Sequence, residues 1–339
     1  MPPSSCVRES SNFKRSAGGL GIDTIQHRHQ KMTLLKRHSL RSSNSEEVRS
    51  LAADSSSKLL NAAADSFLDA NTTILSAVKS LRLKNQKTSL EHLLSLKAQG
   101  AITRAILSSC AAKEIKSWSL SIDQMASCIF SFVRKGLLQI LPTNSLLFLW
   151  KRSPTPLCPL CNSSYPQTNK HVLSNCGAVA ALHRYTNRHN DVLRILLEWL
   201  RGVLPAAAHL YADLPEGNFL QVRDLFKSFR PDISVVSADN VLTLELTVCH
   251  ETNLEKSHAY KAKKYLHLQN DLCYAFTGKL VTNFFIEVTT LGLISDMKKF
   301  TSHLHIPDMA PAVIHNIRKH VVDSSFQIYC NRNNDIIPS

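Results

Sequence analysis

Leu90, Leu93, Leu94 and Leu96 recur at the spacing of one helix face, and after Gly100 the stripe resumes at Ile102, Ile106 and Leu107. A second helix is expected over 121–140, with Met125, Ile129, Phe132 and Val133 inward. Leu141-Pro142-Thr143 stops it, because proline cannot continue a helix. Residues 45–82 hold Ala and Leu at helix-compatible spacing, broken by Ser and Asp. From 151 to 180 the apolar period lapses among Pro154, Pro156 and Pro159. A long helix is expected from 181 to about 201. Strand-like runs follow at 232–236, 241–249 and 281–290, with a charged helix over roughly 253–272 between the last two. Such an order predicts a mixed α/β (α+β) fold, and no internal repeat is visible.

Composition changes this picture at the N-terminus. Residues 1–50 carry nine Lys or Arg against four acids, with many Ser and few large apolar groups. Such a segment offsets its ordering entropy poorly. It reads as a solvated basic arm, or as an arm that touches nucleic acid. Over the whole chain Lys+Arg outnumber Asp+Glu by 40 to 26, a net charge of +14 that makes a polyanion a natural partner. No apolar run approaches the ~20 residues of a membrane span. The opening Met1-Pro2-Pro3-Ser4-Ser5-Cys6 stretch lacks the apolar region of a signal peptide. Nine cysteines, an odd number spread over 339 residues, suit an intracellular protein with a metal site better than a disulfide scaffold.

Four of the metal-type side chains fall close together: Cys158, Cys161, His171 and Cys176, as C-x2-C-x9-H-x4-C. Two thiolates on a tight turn can hold one side of a tetrahedral zinc, and the His and third Cys can close the other. Four protein donors leave no open position, so the zinc would be structural. The alternative is three unrelated buried cysteines and a surface His; His183 is a weaker substitute for His171.

Two acids flank a hairpin signal. Runs on either side of Ser237-Ala238-Asp239-Asn240 read as strands joined by a four-residue loop. Val236 then pairs with Val241, Ser234 faces Thr243, and Asp232 faces Glu245. Thr243, Glu245 and Thr247 share one face; Leu242, Leu244, Leu246 and Val248 share the other, expected to be core. Opposed carboxylates repel unless a cation lies between them, and hard oxygens suit Mg²⁺ or Mn²⁺. Lys261, Lys264 and Tyr265 share one side of the next helix. A cation there could activate a water or steady a pentavalent phosphate. The alternatives are two exposed acids in another register and a solvated basic face.

These residues resemble the C-terminal part of non-LTR retrotransposon reverse transcriptase proteins that carry a restriction-like PD-(D/E)XK endonuclease. The resemblance covers roughly 90–300. It rests on the Cys158, Cys161, His171, Cys176 knuckle, Arg184-Tyr185-Thr186-Asn187-Arg188-His189-Asn190, Arg230-Pro231-Asp232, Glu245, and Lys261-x2-Lys264-Tyr265, in that order. Upstream, Gln99-Gly100, Trp118, Leu141-Pro142-Thr143-Asn144, Leu146 and Trp150 look like that family's helical linker. The family implies that Asp232 and Glu245 hold Mg²⁺ or Mn²⁺, that Lys261 or Lys264 lies beside the attacking water, and that the product is a nick in duplex DNA. It places Arg188, His189, Asn190 and Tyr265 near the DNA in an accessory role. Thr247 stands where the superfamily often has a lysine; Lys261 and Lys264 meet the family's placement on the next helix. His250 and Glu251 stand within reach. No polymerase motif is present: the nearest string, Tyr211-Ala212-Asp213-Leu214, lacks the second acid.

The expected layout is a basic, weakly ordered segment 1–85, a helical linker 86–150, a zinc knuckle 151–180, a restriction-like domain 181–305, and a C-terminal helix and tail 306–339. The expected function is nicking of chromosomal DNA in the nucleus, with DNA and the element's RNA as partners and neither a membrane nor a small molecule. The alternative is a non-catalytic zinc-knuckle nucleic-acid-binding protein. The chain would then be a fragment, a truncated copy or a repurposed descendant of a retroelement.

Overall fold

The computed structural model describes residues 23–54, 59–68, 72–161, 164–216, 230–295 and 297–336; the basic stretch before residue 23 lies outside them. The chain divides into two compact units, Met1–Gly100 and Ala101–Ser339. The expected boundary at 85/86 therefore falls inside a helix of the first unit.

The described part of that first unit, from residue 23 on, is helical where weak order was expected. Its helices are α1 Ile25–Arg41, α2 Glu46–Asp54, α3 Leu59–Asp65 and α4 Ile74–Ser95. Thr24 and Thr73 cap α1 and α4 by accepting backbone N–H groups of His27 and Ser76. Leu34, Ala64, Ala77 and Leu81 form a small core. Arg37, counted above in a solvated arm, is buried: its Nε and an NH2 nitrogen lie 3.0 and 2.7 Å from the two oxygens of Asp65. A charge count along the sequence does not distinguish such a fork from a solvated arginine.

The second unit begins with α5 Ala101–Ser108, a 3₁₀ turn, α6 Ile115–Ile122, α7 Ser127–Leu137 and α8 Asn144–Leu149. The single helix expected over 121–140 is two, separated at Asp123–Ala126. Ile129, Phe132 and Val133 are buried as expected. A π turn at His171–Asn175 precedes α9 Val179–Val203. Then come β1 His209–Ala212, β2 Ile233–Val236, β3 Asn240–Cys249, α10 Leu254–Ala275 and β4 Leu280–Thr289. Helices α11 Lys298–His303 and α12 Pro311–Cys330 close the chain.

The sheet is mixed, in the order β1-β2-β3-β4. β1, β2 and β3 are antiparallel neighbours, and β4 runs parallel to β3, to which α10 connects it. The expected hairpin register is present: Val236 pairs with Val241 and Ser234 with Thr243. Leu242, Leu244 and Leu246 pack under α9 and α12. The opposite face is not solvated, because α10 lays Tyr265, Leu268 and Leu272 over Val241 and Val281. β4 ends in a turn at Gly292, whose φ of +83° suits glycine, with α12 close enough that a Cβ would meet Val322 at 2.8 Å.

Candidate functional site

The knuckle donors converge. Cys158 Sγ lies 4.0 Å from Cys176 Sγ, and Cys161 Sγ lies 3.4 Å from His171 Nε2. All four donor atoms fall within 4.8 Å of one another. A tetrahedral zinc with bonds of about 2.3 Å holds its sulfurs about 3.8 Å apart. The cluster could thus hold a metal such as zinc, with no donor position left for chemistry. Leu157 and Pro166 form an antiparallel bridge behind the first pair, and the π turn delivers His171 and Cys176. The buried Gln167 donates to Cys158 Sγ at 3.9 Å. The Tyr185 hydroxyl donates to Val172 O at 2.7 Å and accepts from Cys176 N at 3.3 Å. Burial pushes the Cys176 thiol up to about 12, and the neighbouring cysteines push the same way. A cation among the sulfurs inverts that effect. His183 sits on α9 with Asn187, outside the cluster.

The acidic pair is built differently. β3 has ten residues, but β2 has four and covers β3 only as far as Leu244. Asp232 extends the ladder with its side chain: Oδ2 accepts the Leu246 N–H at 2.7 Å. Beyond it the uncovered edge of β3 opens into a cleft of about 330 Å³, lined in part by His189, Asp232, Thr247, Val248 and Lys261.

Glu245 points to the α10 side and is buried. Lys261 Nζ donates to its Oε2 and the Tyr265 hydroxyl to its Oε1. Burial raises the Glu245 carboxyl above its ordinary range and the Asp232 charge adds to this; Lys261 and Tyr265 oppose it without cancelling it. The Tyr265 hydroxyl is also raised, by burial first and then by Glu245. His189 Nε2 lies 3.4 Å from Asp232 Oδ2 and 3.3 Å from Leu246 O. Burial pulls His189 down, but the Asp232 bond and charge, with Asn190 and the Leu246 carbonyl, leave it raised. The site is therefore two nearby carboxylates in contact with one ammonium, one phenol and one imidazole.

The other expected residues separate in position. Lys264 is exposed, its Nζ 5.2 Å from the Tyr265 ring centroid, so Lys261 is the lysine on the acid. Arg188 is buried, donating to Ser325 Oγ at 3.0 Å and Leu173 O at 2.9 Å. Burial lowers it to about 10. It ties α9 to α12 and to the π turn. Asn190 meets His189 at 3.3 Å. Glu251 is buried and turned away, accepting the Leu291 N–H at 2.8 Å. Sequence reading missed a further buried acid, Glu287, which pairs with His258. Its signal was an acid inside the apolar run Phe284-Phe285-Ile286-Glu287-Val288.

No model of a known protein family matches the chain, and no curated protein matches it either.

Proposed function

We propose that the second unit is a metal-dependent DNA endonuclease of retroelement origin, acting by phosphodiester hydrolysis. The observation that carries this is the meeting of Asp232, Glu245 and Lys261 beside the uncovered edge of β3. The run β2-β3-α10-β4, an antiparallel hairpin followed by a helical crossover to a parallel strand, supports it, being compatible with a restriction-like core.

The donors fit a hard divalent cation. Burial first, and the Asp232 charge second, raise Glu245, and Mg²⁺ or Mn²⁺ held by Asp232 and Glu245 would offset both. When bound, such an ion supplies Lewis-acid stabilisation and a more acidic water. Lys261 would move from Glu245 toward the phosphate and steady the charge that grows on its oxygens as water adds to phosphorus. One ester P–O bond breaks and the strand is nicked. Lys264 and His189 would contact the strand, and the zinc cluster would hold the π turn and, through Leu173, the Arg188 anchor. Duplex DNA is the primary partner, with the element's RNA second, and a chromosomal substrate places the protein in the nucleus. Among the described residues no helix is long and apolar enough to cross a membrane.

One observation favours the second reading, a non-catalytic nucleic-acid-binding protein with a zinc knuckle. The four-donor cluster is complete, whereas both Glu245 oxygens are occupied by Lys261 and Tyr265. Plasmid nicking by zinc-loaded protein with Mg²⁺, with Mn²⁺ or with neither added separates the two. The endonuclease relaxes supercoiled plasmid only with metal, and Asp232→Ala lowers the rate on the order of a hundredfold or more. Undiminished nicking by that variant, or binding with no nicking, overturns the enzymatic reading.

A further inference from the structure

Glu287 places a carboxylate inside the sheet. Its side chain is 3% exposed, and its Oε1 lies 2.8 Å from His258 Nδ1. Among the described residues no other side chain hydrogen-bonds that carboxylate. A buried carboxylate is costly unless paired, so His258 is held in place by what Glu287 needs. The ring also stands edge-on to Phe285 at 5.6 Å. Yet the His258 side chain is 51% exposed.

The pair lies outside the lining of the acidic cleft but next in register and helix turn to residues that form it. His258 precedes Lys261 by three residues on α10, so both lie on one side of the helix. Glu287 pairs in register with Thr247, a wall of the cleft, and Phe285 pairs with Glu245. With Nδ1 turned to Glu287, Nε2 is left as the ring's second polar atom, and no described residue bonds it. A protonated ring presents Nε2–H as a charged donor. A neutral ring that gives its one proton to Glu287 presents a lone pair at Nε2 instead. The same atom thus attracts a phosphate oxygen in one state and repels it in the other.

We propose that His258 is a phosphate-contact residue for DNA bound along this cleft, positioned by Glu287. The proposal rests on DNA being the partner and adds a residue that the Asp232–Glu245 chemistry does not require.

The test is duplex binding by fluorescence anisotropy at pH 6, with the full chain zinc-loaded and no Mg²⁺ or Mn²⁺ added, across several salt concentrations. His258→Gln should weaken binding about tenfold and lower the salt slope by about one. Glu287→Gln keeps the side-chain shape, removes the charge that holds the ring in place, and should weaken binding in the same direction; it carries the test if His258→Gln fails to fold. A merely structural ion pair predicts two variants with the wild-type affinity and salt slope, which would overturn the proposal. Because nothing is cleaved in this assay, absent nicking counts against the endonuclease and leaves this result standing.

Discussion

The knuckle and the acidic cleft both gather side chains that are unfavourable together without a partner. The knuckle brings three thiols and an imidazole from 19 consecutive residues. The cleft takes Asp232 from before β2, Glu245 from mid-β3 and Lys261 from α10. In the first, among the described residues, the buried sulfurs of Cys158 and Cys176 lie against each other and the Gln167 amide. In the second, Lys261 and Tyr265 already occupy Glu245, and His189 sits on Asp232. One region is a set of donors that a metal would complete; the other is a finished protein site that a metal would have to reorganise.

The largest effect should therefore come from metal removal at the knuckle. Zinc stripped by a chelator, or Cys176→Ser, should cost several kcal/mol. The loss should exceed what so short a segment suggests, because Val172 and Leu173 belong to the second unit's core and Leu173 O anchors Arg188. Thermal melting with metal content measured alongside checks this. A chelated protein that melts as before would show that the cluster is closed by packing, as the cleft is. Removal of Mg²⁺ or Mn²⁺ should leave the melting temperature nearly unchanged.

The same contrast explains what was legible in advance. The knuckle could be read from spacing alone, because its donors are neighbours in the chain. The hairpin register was legible too, because a one-residue slip would exchange Leu244 and Glu245 between faces. The order of strands and helices from 179 to 289 followed from periodicity, except β1, whose four residues His209-Leu210-Tyr211-Ala212 are too short to show any. What could not be read was tertiary. Arg37 and Arg188 are arginines whose burial depends on acceptors 28 and 137 residues away. The choice between Lys261 and Lys264 needed the pitch of α10 against β3. Glu287 was visible as an acid in an apolar strand, but its partner was not.

A smaller effect tests whether the cleft is closed by its own hydrogen bonds. Tyr265→Phe removes the donor to Glu245 Oε1 while keeping the ring against Phe285. The buried carboxylate then relies on Lys261, and stability should fall by about 1–2 kcal/mol in a denaturant titration. The Glu245 carboxyl should rise further, since Tyr265 is one of the groups that lowers it. A neutral substitution would mean that Lys261 alone satisfies the acid.

The smallest effect concerns the join between the two regions, the turn after β3. There Lys170, next to the knuckle, donates to Asn253 Oδ1 at 2.8 Å, and His250 caps the 3₁₀ turn by accepting the Thr252 N–H at Nδ1. An accepting nitrogen carries no proton, so the fold holds His250 neutral; burial lowers it, Glu251 opposes this, and Lys170 adds to it. As pH falls through about 6.5 the unfolded chain takes up a proton that the folded chain refuses, so stability falls with pH. The fall continues only to the lowered folded value, at no more than about 1.4 kcal/mol per pH unit. His250→Asn retains a capping oxygen and should flatten this part of the profile. Denaturation midpoints of the two proteins between pH 7.5 and 5 give the difference directly. Parallel profiles would show that the turn tolerates a charged imidazole, and that the knuckle and the cleft are joined by Arg188 and packing rather than by this cap.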